Sequence, residues 1–372
     1  MAEIVFVTWD GGGNVPPAVG IATELVARGH GVRFVGHPRQ RESLVAAGLE
    51  VAPSLHARAF SALDANSPLA LVAMFGDRGL GRDVLAALAD RPADVVVVDC
   101  LLFGVMAELR AAGTPYVVLE HLYDAYLRGG WLKGPMGLGM RLQRLQPARS
   151  LAEARLRLVA SLPSLDPAGA RSRSDLTWVG PVVPVAERVP ADPLVLVSLS
   201  TFRFPKMAGC LQTILDACAG LDARVVVTTG PVVDPAELRA PDNAEVHRFV
   251  PHAELMPRAA LVIGHGGHGT TMQALAHDVP LVLMPMHPLL DQPMVARSVA
   301  SAGAGRVVPK KASAADLTPV VAAMLADGPH REAAARLGAE IRALPGARNA
   351  ADRIESLMTD GAPQPEHPLA RP

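Results

Sequence analysis

Two glycine-rich turns gather most of the polar chemistry visible in the chain. One reads Gly264-His265-Gly266-Gly267-His268-Gly269-Thr270-Thr271, after the aliphatic run Leu261–Ile263 and before a helical stretch that starts Met272-Gln273-Ala274-Leu275-Ala276. Glycines let the backbone approach a ligand closely. A helix starting there offers unpaired N–H groups and the positive end of its dipole, which suits a diphosphate. His265 and Thr270 add side-chain donors. Gly264, Gly266 and Gly269 also satisfy GxGxxG, but a dinucleotide fingerprint opens the first βαβ unit and has an acid ending the next strand. Here the turn lies two-thirds along the chain, and the next acid, Asp291, stands beside Gln292 in HPLLDQP, past the strand end. A dinucleotide oxidoreductase is therefore disfavoured, while a purely structural tight turn stays open.

The other turn, Thr8-Trp9-Asp10-Gly11-Gly12-Gly13-Asn14-Val15-Pro16-Pro17, follows the first strand-like run. Asp10 and Asn14 favour turns for their own sake. Deprotonating a nucleophile near neutral pH needs a base with a matching pKa. Asp10, His121 and Asp124 are candidates in strand-end loops, and Asp99 ends another strand. A helix cap is the plainer reading of Asp99, and a core-edge histidine that of His121. No His/Cys/Asp group has metal-ligand spacing along the chain and no D-x-D occurs, so no metal is expected. The odd set Cys100, Cys210 and Cys218 fits a reducing compartment.

Positioning these residues falls to short aliphatic runs at Ile4–Val7, Val32–Val35, Val95–Val98, Val117–Leu119 and Leu158–Ala160. A second series follows at Leu194–Val197, Val225–Thr228, Leu261–Ile263 and Leu281–Met284. They are continuous rather than alternating, as in strands buried on both faces. Helical stretches lie between them, such as Pro17–Arg28 closed by Gly29. This predicts α/β architecture with parallel sheets. The proline-rich stretch GPVVPVAERVPADP reads as a linker. The expected organisation is an N-terminal domain over 1–180, a linker over 181–193, a C-terminal domain over 194–349, a helix over 350–358 and a disordered tail over 359–372.

Lys and Arg number 35 against 36 Asp and Glu, a balance that disfavours nucleic acid as a partner. No apolar run reaches the roughly 18 residues of a membrane span, and the N-terminus lacks the pattern of a signal peptide. A cytoplasmic protein is expected.

The stretch HGGHGTTMQALAHDVPLVLMPMHPLLDQPMVA, preceded by Val250-Pro251-His252 and Leu255-Met256-Pro257, resembles the donor-binding signature of UGT-type GT-B glycosyltransferases. The bacterial natural-product and macrolide branch is most similar. That pattern runs V-P-x-x-x-L-L-P, H-G-G-x-G-T, E-A-L, G-V-P, P and D-Q in order, and the N-terminal turn and Arg28–His30 extend the likeness. The resemblance implies two Rossmann-like domains facing a cleft. His265, Gly267, Gly269 and Thr270 would hold the nucleotide diphosphate, with Ser198 and Thr201 lining the same pocket. Asp291 and Gln292 would bond the sugar hydroxyls, and Val250 would meet the base through its backbone. Gln273 stands where the family has a Glu assigned to the ribose. Asn14 stands where the first turn, G-H-x-x-P in the family, carries the catalytic His, and Asp99 matches the Asp that orients it. Asn14 cannot act as a base, so Asp99 is expected to have lost its partner. Either Asn14 positions an acceptor whose nucleophile is already activated, such as a phenolate or an electron-rich aromatic carbon, or Asp10, His121 or Asp124 is the base.

The function implied is an inverting, metal-independent glycosyl transfer in antibiotic biosynthesis, from a nucleoside diphosphate sugar as co-substrate and without a cofactor. The acceptor would be a small hydrophobic molecule, aromatic or polyketide-like. Segments 54–83 and 121–147, the latter with Tyr123, Tyr126, Trp131, Met136 and Met140, would either line an apolar acceptor pocket or pack on the N-terminal sheet. A homodimer is left open. The alternative is a non-catalytic or partner-activating sugar-nucleotide-binding homologue, prompted by Asn14. A GT-B-fold epimerase is disfavoured by the transferase form of the donor signature.

Overall fold

The computed structural model describes residues 1–60, 67–170, 176–189, 193–200 and 202–359. Two parallel sheets form. The first contains β1 (Glu3–Val7), β2 (Gly31–Val35), β3 (Glu50–Val51), β4 (Val95–Asp99), β5 (Val117–Glu120), β6 (Leu156–Val159) and β7 (Leu176–Trp178), ordered β3-β2-β1-β4-β5-β6-β7. The second contains β8 (Leu194–Ser198), β9 (Arg224–Thr228), β10 (Ala244–His247), β11 (Ala259–Gly264), β12 (Leu281–Leu283) and β13 (Gly305–Val307), ordered β10-β9-β8-β11-β12-β13. Each order reverses beside the first strand of its sheet, which leaves a crevice at the carboxyl ends of the strands.

All nine runs expected as strands are strands. The four strands without such a run, β3, β7, β10 and β13, are the four sheet edges. Central strands are covered on both faces and read as unbroken aliphatic runs. Edge strands are short and part-exposed, as in Ala244-Glu245-Val246-His247, and carry no such signal.

In β4, Val95 and Val97 pack with Ala18, Ile21 and Leu25 of the helix Val15–Ala27. Val96 and Val98 face the opposite layer, with Leu80, Val84 and Met106. The helix Val15–Ala27 begins with prolines in its first turn and closes before Gly29, whose φ of +85° suits glycine. The last helix, Gly346–Thr359, starts earlier than the sequence suggests and returns to the first sheet, burying Ala350, Ala351 and Ile354 there. Complete burial of a side chain such as Ile354 is worth roughly 1.5–3 kcal/mol. Arg28 adds ion pairs to Asp352 (2.6 Å) and Glu355 (2.7 Å), and His30 contacts Glu355 at 2.9 Å. The tail expected beyond Thr359 lies outside the described residues, as do residues 190–192 of the linker stretch.

In the linker stretch, His277 accepts a bond from the Ala186 amide (3.1 Å), and Arg188 donates to the His277 carbonyl (2.7 Å). Both contacts tie it to the second sheet's layer. No helix among the described residues is long and apolar enough to cross a membrane.

Candidate active site

In the C-terminal half, Ser198, Gly264 and Leu283 end three adjacent strands in register, so the loops that follow emerge together. Gly266 has φ +83°, and a Cβ there would lie 2.9 Å from the Gln292 carbonyl. Only glycine lets the turn pack against the helix Gln292–Ser301. Gly267 caps the helix His268–Ala276 without a side-chain bond, leaving its first-turn N–H groups free of any side-chain cap. A Cβ at Gly269 would meet nothing within 4 Å, so this helix start faces open space. Thr270 stands in the same first turn, half-buried.

The His265 Nδ1 is buried with no hydrogen-bond partner. Burial pulls its pKa to about 4, only partly opposed by the Ser198 backbone. The imidazole is therefore neutral at working pH and offers a hydrogen bond without charge. Asp291 precedes its helix without capping it, and burial lifts its carboxyl to about 6. The amides of Asp291 and Gln292 at the helix start pull the other way, toward the charged form. Gln292 Oε1 accepts from the amides of Met286 (2.8 Å) and His287 (3.2 Å), bracing the loop, while its Nε2 takes no part in those bonds. Gln273 is buried on the helix His268–Ala276, and Val250 is half-buried in the loop after β10. Thr201 lies outside the described residues.

The N-terminal half corrects the expectation that Asp99 lacks a histidine partner. Asp99 ends β4 and His121 immediately follows the neighbouring β5, where Asp99 pairs with Leu119. Parallel register carries the two side chains together: His121 Nδ1 lies 3.0 Å from Asp99 Oδ2. Asp99 has therefore not lost a histidine; it has one from a different loop. The other carboxylate oxygen accepts from the Leu101 amide (3.0 Å), which fixes the acid. Burial alone would lower the His121 pKa, but the Asp99 carboxylate, helped by Asp291 and Glu120, holds it above its ordinary value. With Nδ1–H given to Asp99, Nε2 is the free ring nitrogen.

Cys100 Sγ lies 3.7 Å from the same Nδ1, and the ligand atoms of Asp99, Cys100 and His121 fall within 4.8 Å of one another. Chain spacing conceals this grouping. Burial raises the Cys100 thiol well above its usual range. The group thus reads as a carboxylate–imidazole pair beside a neutral thiol.

Asn14 is buried, and its Nδ2 donates to Thr8 Oγ1 (3.2 Å) and the Trp9 carbonyl (2.9 Å). The amide braces its own turn, with Asp10 half-buried beside it. Asp124 is unavailable as a base, because it is buried against Arg157, which also binds Glu120 Oε1 (2.7 Å). Burial lifts Glu120 to about 8 against the pull of Arg157. The Asp124 amide donates to Asp166 (2.8 Å). Together these bonds hold the segment that begins at His121.

That segment contacts the turn after β11 and the loop after β12. The Tyr123 ring stands perpendicular to His268 at 5.5 Å, and Tyr126 OH donates to the Leu289 carbonyl (2.9 Å). His268 Nε2 also lies 2.9 Å from Ser161 Oγ, and burial, aided by His121, drives its pKa down to about 3. Sequence reasoning missed Ser161 and His268 as partners, because their separation of 107 residues leaves no local trace. Of the aromatic residues expected near an acceptor, Tyr123, Tyr126 and Trp131 are core, as is Met140. Trp131 packs on Phe75 (5.8 Å) and Phe103 (5.1 Å), both on helices beside the N-terminal sheet.

Residues 212–357 match the family described as erythromycin biosynthesis protein CIII-like, C-terminal domain. The chain is 28% identical to 4'-demethylrebeccamycin synthase of Lentzea aerocolonigenes, over 96% of this chain and 100% of that protein. It is likewise 28% identical to demethyllactenocin mycarosyltransferase of Streptomyces fradiae, over 97% of this chain and 88% of that one. The crystal structure of the kitacinnamycin glycosyltransferase superposes with a TM-score of 0.80 at 25% identity, covering 96% of this chain and 99% of its own.

Proposed function

We propose that this chain, a GT-B glycosyltransferase of the antibiotic-biosynthesis type, transfers a sugar with inversion from a nucleoside diphosphate to a small hydrophobic acceptor, with His121 as base. The observation that carries this reading is the Asp99–His121 pair at 3.0 Å, placed on a segment that touches both donor loops. His121 Nε2 takes the proton of the acceptor nucleophile as that nucleophile attacks the anomeric carbon. The bond from that carbon to the diphosphate oxygen breaks, and the electron pair leaves with the nucleotide. Attack from the N-terminal side, with the leaving group on the C-terminal side, inverts the anomeric centre.

Charge on the departing diphosphate is met by the amides at the start of His268–Ala276 and by His265. This anchoring calls for no metal. Asp291 and the Nε2 of Gln292 bond the sugar hydroxyls, Gln273 the ribose, and Val250 the base. Asn14 shapes the turn and leaves the proton to His121.

The test incubates the protein with thymidine and uridine diphosphate sugars and a panel of phenolic and polyketide acceptors, with products read by mass spectrometry. A hexose or deoxyhexose adduct that His121→Gln abolishes supports the proposal. Saturable nucleotide binding with no adduct would favour a non-catalytic binder.

A further inference from the structure

Away from both glycine turns, a cavity of about 530 Å³ opens where the two halves of the chain meet. One wall is the loop after β6, with Leu165, Asp166 and Pro167. The other is the helix Gln292–Ser301, which turns Met294, Arg297, Ser298 and Ser301 toward it, a set spaced by three and four residues on one face. Arg297 lies six residues beyond Asp291, about 9 Å along the helix axis at roughly 1.5 Å per residue. None of the residues assigned above to the donor or the base lines this cavity.

The first wall has its polar groups matched. Asp166 accepts from the amides of Asp124 (2.8 Å), Ala125 (3.3 Å) and Ala168 (2.9 Å) and from Trp178 Nε1 (3.4 Å). Ser164 Oγ donates to Glu340 Oε2 (2.6 Å), on the helix Pro329–Ala343. The second wall does not. The side chains of Arg297 and Ser301 are exposed and bond to no other described residue. The buried hydroxyl of Tyr123 stands beside Ser298, and it too lacks a hydrogen-bond partner. A guanidinium offers donors alone, and its strongest partner is an anion. Leu165, Pro167 and Met294 supply apolar surface in the same cavity.

We propose that this cavity binds a small amphiphilic anion: a carboxylate or phosphate monoester on a short aliphatic chain. Its head pairs with Arg297 and accepts from the hydroxyls of Ser298 and Ser301. Its chain lies on Leu165, Pro167 and Met294. The volume suits this, since small-molecule sites span roughly 300–1,000 Å³. The walls belong to different halves of the chain, so the occupant bridges them. Binding here is independent of the transferase reading.

The experiment is calorimetric titration of the full chain with hexyl phosphate, hexanoate and 1-hexanol, with saturating thymidine diphosphate present to keep the probes from the glycine turn at 264–267. At least one anion should bind, with 1-hexanol about tenfold weaker or more, and the tighter anion identifies the head group. Arg297→Met should weaken that anion about tenfold, the size of a hydrogen bond to a charged group. Ala302→Leu, which fills the cavity, should weaken it as well. Thermal unfolding should show both variants within a few degrees of wild type, because neither residue is buried. No binding of either anion, equal affinity for 1-hexanol, or unchanged affinity in Arg297→Met would each overturn the proposal. Retained affinity in Ala302→Leu would do so too. Failure of the transferase reading looks different: anion binding that depends on Arg297, with no sugar adduct formed on any acceptor.

Discussion

The two sides of the cleft are made of different material. The C-terminal side presents mainly backbone: a glycine turn at 264–267 and helix-end amides, with the Asp291 carboxylate beside them. The N-terminal side works through side chains brought together from separate strands, with Asp99 and His121 as the pair and Arg157, Glu120 and Asp124 beneath them. Under the proposed function, a diphosphate is the same in every donor, so a fixed backbone cradle would serve it. Acceptors differ, so the side proposed to meet them could exchange one histidine position for another while its acid stays in place. Here Asn14 occupies the first turn and His121 supplies the imidazole.

The sharpest way to break this contrast is to remove the side chain that carries the N-terminal chemistry. His121→Gln should lower kcat by about 10²–10⁴-fold, the usual worth of a general base. Calorimetric titration should show thymidine diphosphate binding unchanged. On the opposite side, Asp291→Asn should cut transfer about 10–100-fold, because hydrogen bonds to a charged group are worth roughly 1.5–3 kcal/mol. Its effect should appear with the sugar nucleotide and vanish for the free diphosphate.

The backbone half is sharpened by Gly266→Ala. Its left-handed conformation costs a non-glycine residue roughly 1–2 kcal/mol, and the new Cβ would press on the Gln292 carbonyl at 2.9 Å. Diphosphate affinity should fall about tenfold in the same titration, while the pH dependence of transfer stays in place. The smallest effect belongs to Asn14→Ala. Losing two bonds of roughly 0.5–1.5 kcal/mol each should lower the unfolding midpoint by a few degrees. Transfer should stay within about fivefold of wild type, measured at saturating substrates.

The contrast also decides what the sequence reveals. The side proposed for the donor is local: His265, Gly267, Gly269 and Thr270 fall within one short turn, and Asp291–Gln292 follow one strand later, so spacing alone suggests an anion cradle. The central strands are equally legible because burial on both faces leaves unbroken aliphatic runs. Edge strands such as β10 and β13 escape, since half-exposure breaks those runs. The Asp99–His121 pair escapes for another reason. Each residue was recognisable at a strand end, but their pairing depends on β4 and β5 being neighbours, which is a property of sheet order. Ser161 with His268, and Tyr126 with Leu289, join distant positions and give no signal along the chain.

The pH dependence of kcat/KM for the acceptor, at saturating donor, tests the role of His121 most directly. His121 accepts a proton only when neutral, and Asp99 holds its pKa above the ordinary 6.5 despite burial. Activity should therefore fall as pH drops through a midpoint above 6.5, with a lower step from Asp291 near 6. In Asp99→Asn the histidine loses its main support, so the upper limb should move to lower pH, and in His121→Gln that limb should vanish. An upper limb that stays in place in both variants would contradict the account and assign the base elsewhere.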